Sequence, residues 1–288
     1  MHKFLRAIGF SDITKKDLEM ILDEVITRPE IMKITKDSEG NEFAELSGSF
    51  AANAGITVRG TYQEDDSFHM DYYYPYVFGT SITTNEQIDV EKHAEKESYA
   101  GVCDEVNLGV TLIFYIQNVA DYLAETNRHL SKIHYGAMLA GLSTEGKILC
   151  PVVERKKNDV PAIQKNDRHN QLIAQAREGD EDAIESLTLE DMDTYALLSQ
   201  RVMKEDIFSI VKSTFMPFGI ESDQYTVLGE IIDCVTMENR LTHEKLYGMK
   251  LLCNNIQFDV CINEKDLLGE PAIGRRFRGN VWMQGNLC

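Results

Sequence analysis

The chain has 288 residues and a mass of 32.7 kDa, with 43% hydrophobic and 26% charged side chains and only 6 prolines. That profile excludes disordered and fibrous classes, and the length exceeds what one hydrophobic core usually serves, so about two domains are expected. Twenty-nine basic against 47 acidic side chains leave a net charge of −18, which argues against nucleic acid and anionic membranes as partners.

The longest apolar run, Val110 to Ile116, is seven residues and includes Thr111 and Tyr115. A bilayer span needs about twenty, so no membrane helix is expected. The start, Met1-His2-Lys3-Phe4-Leu5-Arg6, places charge where a signal segment needs an apolar stretch, and it lacks a small-residue cleavage site. It reads as mature protein, and a cytoplasmic location is expected.

Taken in chain order, the first element is a helix. Thr14 with Asp17 three residues on caps it, and Leu18, Ile21, Leu22 and Val25 mark one apolar face. Arg28-Pro29 ends it, because a residue before proline avoids the α region. Strand character follows over Ile31–Thr35, Glu42–Leu46, Ile56–Tyr62 and Phe68–Phe78, the last two joined as an antiparallel hairpin by Glu64-Asp65-Asp66-Ser67. Asp89 to Tyr99 is polar and ambiguous. Leu108–Ile116 reads as a buried strand and Val119–Glu125 as a helix, while Tyr135–Leu142 and Ile148–Val153 read as a second hairpin around Ser143-Thr144-Glu145-Gly146. Residues 1–155 are thus expected as a mixed α+β domain with a largely antiparallel sheet.

Arg155 to Arg168 loses hydrophobic content and reads as a linker. Helices are expected over about 170–177, 182–187 and 189–201, the last capped by Thr188, so 156–223 is a linker and helical connector. Strand period then takes over at Tyr225–Val235, Leu246–Leu252 and Ile256–Ile262, and Gly274–Phe277 with Gly279–Met283 add one or two more strands, about five in all. Five short strands with glycines at bends suggest a small OB-like β-barrel over 224–288. Net charges of −11, −6 and −1 for the three parts support the same division. No internal repeat is evident.

Six cysteines at 103, 150, 234, 253, 261 and 288 contain no Cys-x-x-Cys and read as buried free thiols; Cys234, Cys253 and Cys261 could meet only across neighbouring strands. No metal or cofactor is expected. His93 and Glu97 stand at helical i,i+4 spacing in a charged, solvated stretch. His243-Glu244-x-x-Tyr247 misses the second ligand of the His-Glu-x-x-His zinc motif. The acids between Glu178 and Asp193 do not have EF-hand spacing and suit helix starts.

Two stretches stand out as a ligand or partner surface. Tyr72, Tyr74 and Tyr76 share one strand face with Met70 and Phe78, either as a stacking surface or as a sheet face under a helix. Arg276 and Arg278, with Trp282 nearby, form the one concentrated basic patch, which on an OB-like barrel would suit single-stranded nucleic acid. Nucleophile elbows, Walker loops and dinucleotide fingerprints are all missing.

Three stretches carry a resemblance: residues 1–10, MHKFLRAIGF; Ala176-Arg177-Glu178-Gly179-Asp180 through Glu190-Asp191-Met192-Asp193-Thr194-Tyr195; and Gly274-Arg275-Arg276-Phe277-Arg278-Gly279-Asn280-Val281-Trp282-Met283-Gln284-Gly285. Together they resemble a domain-of-unknown-function family of anaerobic Gram-positive bacteria across nearly the whole chain. That family has no assigned activity, so the resemblance implies a bacterial, cytoplasmic, full-length protein and transfers no catalytic residue. The last stretch is also similar to small barrel modules.

The function expected is non-catalytic: a binding or regulatory protein acting through protein contacts, with a protein partner or a second copy. An enzyme with a site near the Tyr72–Tyr76 strand or between domains is the alternative. Single-stranded nucleic-acid binding by the barrel is a further, less favoured one.

Overall fold

In the computed structural model the residues described are 1–92, 97–127, 134–152, 172, 175, 180, 182–183, 185–187, 211–220 and 222–288. They divide into two units, Met1–Leu149 with Ser213–Cys288, and Cys150–Lys212. In the second unit residues 172, 175, 182–183 and 185–187 are helical, within stretches read as helix. The expected linker from 155 to 168 and the helix over 189–201 lie outside the described residues, as does His93.

The first unit opens with a short 3-10 helix, Lys3–Ile8, closed by Gly9 in the left-handed region (φ 93°), whose amide returns to the Arg6 carbonyl. Helix α1, Lys15–Thr27, has Thr14 as its N-cap, accepting from the Asp17 amide, and buries Leu18, Ile21, Leu22 and Val25 as the spacing predicts. An antiparallel sheet follows in sequence order: β1 (Ile31–Lys36), β2 (Glu42–Ala51), β3 (Ala54–Tyr62) and β4 (Phe68–Val77). Asp71 is an extra residue between the Arg59–Tyr72 and Gly60–Met70 pairs. This bulge breaks the expected face, leaving Met70 exposed while Tyr74 and Tyr76 are buried.

The second sheet has ten strands among the described residues: β5 (Thr84–Lys92), β6 (Tyr99–Glu105), β7 (Val110–Ile116), β8 (His134–Leu149), β9 (Thr214–Pro217), β10 (Gln224–Glu238), β11 (Lys245–Cys253), β12 (Ile256–Asn263), β13 (Leu267–Leu268) and β14 (Arg276–Leu287). Helix α2 (Val119–Asn127) joins β7 to the chain leading into β8. Its spine is an antiparallel ribbon of β8 and β14, paired from Ala137–Leu287 to Leu149–Arg276. The meander β5-β6-β7 closes a ring at one end of the ribbon, with β5 antiparallel to β8 and β7 parallel to β14. The meander β10-β11-β12 closes a second ring at the other end, with β10 antiparallel to β14 and β12 parallel to β8. The two halves therefore repeat one topology: three strands, a helical turn and a long strand, each first strand pairing with its own half's long strand and each third strand with the other's. A repeat invisible in the residues is present in the pairing.

The mixed α+β class holds, and two details change. Residues 134–149 are one continuous strand, not a hairpin. The turn-like Ser143 and Gly146 serve the ribbon: Ser143 Oγ donates across to the Asn280 carbonyl at 2.8 Å, at the Asn280–Val281 bulge, and a Cβ on Gly146 would meet the Phe277 ring at 2.4 Å. Gly274–Phe277 and Gly279–Met283, expected as one or two strands, form one, from Arg276 to Leu287. The ring expected of residues 224–288 alone closes only with β8, from the other side of residues 150–212.

The larger core cluster unites the two rings through Leu112, Phe114, Phe258, Val260, Phe277 and Met283. A second packs the 3-10 helix, α1 and the first sheet against Ala140, Leu142 and Trp282. Each fully buried aliphatic or aromatic side chain there contributes about 1.5–3 kcal/mol of transfer free energy.

Candidate binding pocket beside a buried guanidinium

Hairpin β2–β3 sets Glu45 directly opposite Arg59. Arg59 is fully buried, and a lone guanidinium in that position would be strongly unfavourable, so every donor is occupied. Its Nε donates to Glu45 Oε1 at 2.7 Å. Nη1 donates to the Tyr72 and Tyr115 hydroxyls at 2.9 and 2.7 Å. Nη2 donates to the Tyr74 hydroxyl at 3.2 Å and to the Ile116 and Gln117 carbonyls at 3.0 and 2.9 Å. Burial opposes the charge on Arg59, but Glu45 and the tyrosines hold its pKa above the usual range. Burial also raises the phenols of Tyr74 and Tyr115, so neither offers a base. Glu45 Oε2 in turn accepts from the Ala120 amide in the first turn of α2, at 2.8 Å.

The pocket, about 300 Å³, lies beside this cluster. Its polar wall is Glu45, Ser47, Thr57, Tyr74 and Gln117. Ile31, Phe78, Met138 and Leu287 supply the apolar part. At its margin Lys33 Nζ meets Asp121 Oδ2 at 2.6 Å, tying β1 to α2. Ser47 and Thr57 share one hydrogen bond between their hydroxyls at 2.8 Å. Gln117 is 5% exposed; its Nε2 donates to the Val77 carbonyl and to Gln284 Oε1, at 2.9 and 2.8 Å. Those two acceptors fix the amide's orientation and leave Oε1 buried with no partner.

The tyrosine strand is thus a polar clamp turned inward. Tyr72 and Tyr74 hold Arg59, and Tyr72 also donates to the Glu97 carbonyl at 2.7 Å. Tyr76 is buried and stacks on Phe78 at 4.3 Å. The basic patch separates: Arg276 is buried, Arg278 is exposed opposite Lys147, and Trp282 is buried. Trp282 stacks on Phe4 at 5.2 Å and donates Nε1 to Asp223 Oδ2 at 2.7 Å. These three residues do not make one stacking surface. Cys253 and Cys261 are buried and bonded to backbone carbonyls, Cys234 is half-buried, and among the described residues no three His, Cys, Asp or Glu side chains converge for a metal.

Two other features invite comparison. Lys265 Nζ sits 2.9 Å from Ser11 Oγ, which itself donates to Glu244. Hydrogen bonding to Glu244 raises the Lys265 pKa, so it stays charged and cannot activate the serine. The group fastens residues 11–12 to the strands beneath. A wider groove of about 1290 Å³ runs past Glu42, Glu64 and Asp65, where solvent already reaches the polar groups of the turns.

Arg59, Glu45 and Gln117 were not singled out from the sequence. The signal for the first two was there: Ala44-Glu45-Leu46 and Val58-Arg59-Gly60 each set one charge between apolar or small neighbours, and the hairpin register brings the two charges face to face. Nothing local marks Gln117, whose partners lie 40 and 167 residues away.

A family model described as a domain of unknown function from E. rectale (DUF3881) matches residues 5–285. The chain belongs to this family. No curated protein and no solved structure matches it. The DUF3881 span takes in the first sheet, all but the last two residues of β14 in the two rings, and every residue named in the pocket wall except Leu287, so the site belongs to the family's domain and not to an appendage.

Proposed function

We propose that the chain is a non-catalytic binding protein, acting in the cytoplasm, whose ligand site is the pocket beside Arg59. The observation that carries this reading is the wall of buried polar side chains, Glu45, Ser47, Thr57, Tyr74 and Gln117, held in place by the Arg59 cluster against about 300 Å³ of open volume. The charges there support binding over turnover: Glu45 is engaged by Arg59 and the α2 backbone, and Lys33 by Asp121, so none is poised to move a proton. Cys103, Cys234, Cys253, Cys261 and Cys288 stand as thiols and not as disulfides, which supports the compartment. The test is a small-molecule library screened by thermal shift against the whole chain and an Ile31→Trp variant, which narrows the pocket from its exposed edge strand. Compounds that raise the unfolding midpoint of the parent and not of the variant support the reading. A library with no such compound rejects it.

Action through protein contacts is a second reading, favoured by one observation. Met216 and Phe218 are 54% and 42% exposed, and Ile220 fully so, on and just beyond the outermost strand β9. Replacing all three with Ser should change the mass measured by light scattering at micromolar concentration; an unchanged monomer in both proteins rejects self-association through this row.

A further inference from the structure

The first sheet has two edges, β1 and β4, and the chain treats them differently. On β4 the outward groups are closed. Pro75 has no N–H to offer, and its carbonyl accepts from Gln284 Nε2 at 2.9 Å. Val77 donates to Gln284 Oε1 and accepts from Gln117 Nε2, at 3.3 and 2.9 Å. Strand β1 is bonded to β2 alone. The Asp37 N–H reaches the Asn41 carbonyl at 3.0 Å, in the register of that ladder. By alternation Ile31, Lys33 and Thr35 bond to β2, while Met32, Ile34 and Lys36 turn their backbone groups outward. Asn127 Nδ2 takes the Lys36 carbonyl at 2.7 Å. Among the described residues nothing takes the N–H and C=O of Met32 and Ile34 on that side. Ile31, Met32 and Ile34 are also 44%, 49% and 45% exposed, three large apolar side chains in a six-residue strand. A lysine commonly guards such an edge, but Lys33 is drawn aside onto Asp121.

We infer that β1 pairs antiparallel with β1 of a second copy, about a two-fold axis at Lys33, joining two four-stranded sheets into one. The strand complements itself in that register. Met32 of each copy exchanges both backbone bonds with Ile34 of the other, so the open donors and acceptors of the two edges are all used. Opposed residues share a face, and the same pairing therefore sets Met32 on Ile34 twice, apolar against apolar. Farther out, Lys36 of each copy comes opposite Glu30 of the other. Both residues are exposed, and the Glu30 carboxylate, which holds Arg240 at 2.7 Å, has lone pairs for a second cation. The two Lys33 side chains meet on the axis with their charges already balanced by Asp121. Sliding the pairing by two residues sets Met32 against Lys36, or Ile34 against Glu30, an apolar side chain opposite a charge in either case. In the favoured register Ile31, which lines the pocket beside Arg59, comes opposite Thr35 of the second copy, so each copy borders the other's pocket.

Sedimentation velocity of the whole chain, from low to high micromolar concentration, should show a reversible monomer–dimer equilibrium. Ile34→Pro removes an outward N–H and no bond to β2, and should leave monomer alone. Charge exchange keeps the test open even if that variant fails to fold. Lys36→Glu and Glu30→Lys, each made singly, set like charges at both ends of the paired segment and should weaken the dimer by about tenfold. An equimolar mixture of those two variants puts opposite charges back at both ends and should recover it. A parent that stays monomeric at the highest concentration overturns the inference, and so does a mixture no more associated than its components. A dimer that persists in Ile34→Pro overturns it too; if that dimer is lost when Met216, Phe218 and Ile220 become Ser, self-association belongs to the row on β9.

Discussion

Arg59 is the residue on which most of the first sheet's polar geometry depends. It joins β3 to Glu45 on β2, to Tyr72 and Tyr74 on β4, and to Tyr115 and two carbonyls at the end of β7. Removing one member of such a buried pair leaves the other charge uncompensated, so Arg59→Met should cost about 3–5 kcal/mol in urea unfolding. Arg59→Lys should cost nearly as much, because one ammonium cannot span a fork that serves acceptors on three strands. The double variant Arg59→Met with Glu45→Met should recover part of the loss; strict additivity of the two single costs would contradict the coupling. His2 gives a second, independent expectation. Burial foremost, then the Lys3 charge and the N-terminal ammonium, lower its pKa to about 4, below the ordinary 6.5. The folded state therefore binds fewer protons than the unfolded chain between those values, and the stability His2 brings is complete above about 6.5 and lost as pH falls towards 4. Parent and His2→Phe should have unfolding midpoints that diverge with acidification, the parent falling faster. A gap that does not change with pH would remove His2 from the account.

Among the elements, the most constrained contact is between β6 and β7, where Gly101 lies opposite Phe114. A Cβ on Gly101 would meet that ring at 2.3 Å, and the ring is fully buried, so it has nowhere to retreat. Gly101→Ala should destabilise by about 1–3 kcal/mol, read as a lower midpoint at unchanged denaturant slope. The same contact explains what could be read in the residues and what could not. Helix α1 was legible because cap, apolar face and stop signal all lie within fifteen residues and agree. The four strands of the first sheet were legible through alternation and turn chemistry. Strands β5 and β6 were obscured because β5 is exposed along much of its length, with Thr84 and Ile88 its buried residues, so alternation is faint. The split of β8 into a hairpin came from reading Ser143 and Gly146 as turn residues, when a glycine in a strand can instead make room for an aromatic ring from a neighbour. The tyrosine run announced itself, but its purpose did not: one buried arginine, supplied by a different strand, turns an apparent stacking face into a clamp.

For the whole molecule, the ribbon of β8 and β14 makes the two halves depend on each other. Each ring takes its fifth strand from the other half, so neither 1–152 nor 211–288 contains a complete ring. Expressed separately, the two pieces should lack a cooperative unfolding transition; expressed together, they should co-purify with the near-ultraviolet circular dichroism of the intact chain. A piece 211–288 that folds alone would contradict the shared closure. This arrangement also has a consequence for synthesis on the ribosome. When residue 149 has emerged, β8 has no partner along the edge that β14 will occupy, and the apolar side chains that β5, β6 and β7 direct into the first ring have no closed wall around them. The missing strand is specified more than a hundred residues later, so the chain spends much of its translation with an open, sticky edge. Protease resistance of stalled nascent chains should therefore rise not in two steps, as for a chain of consecutive domains, but in one, once residues 276–287 clear the exit tunnel.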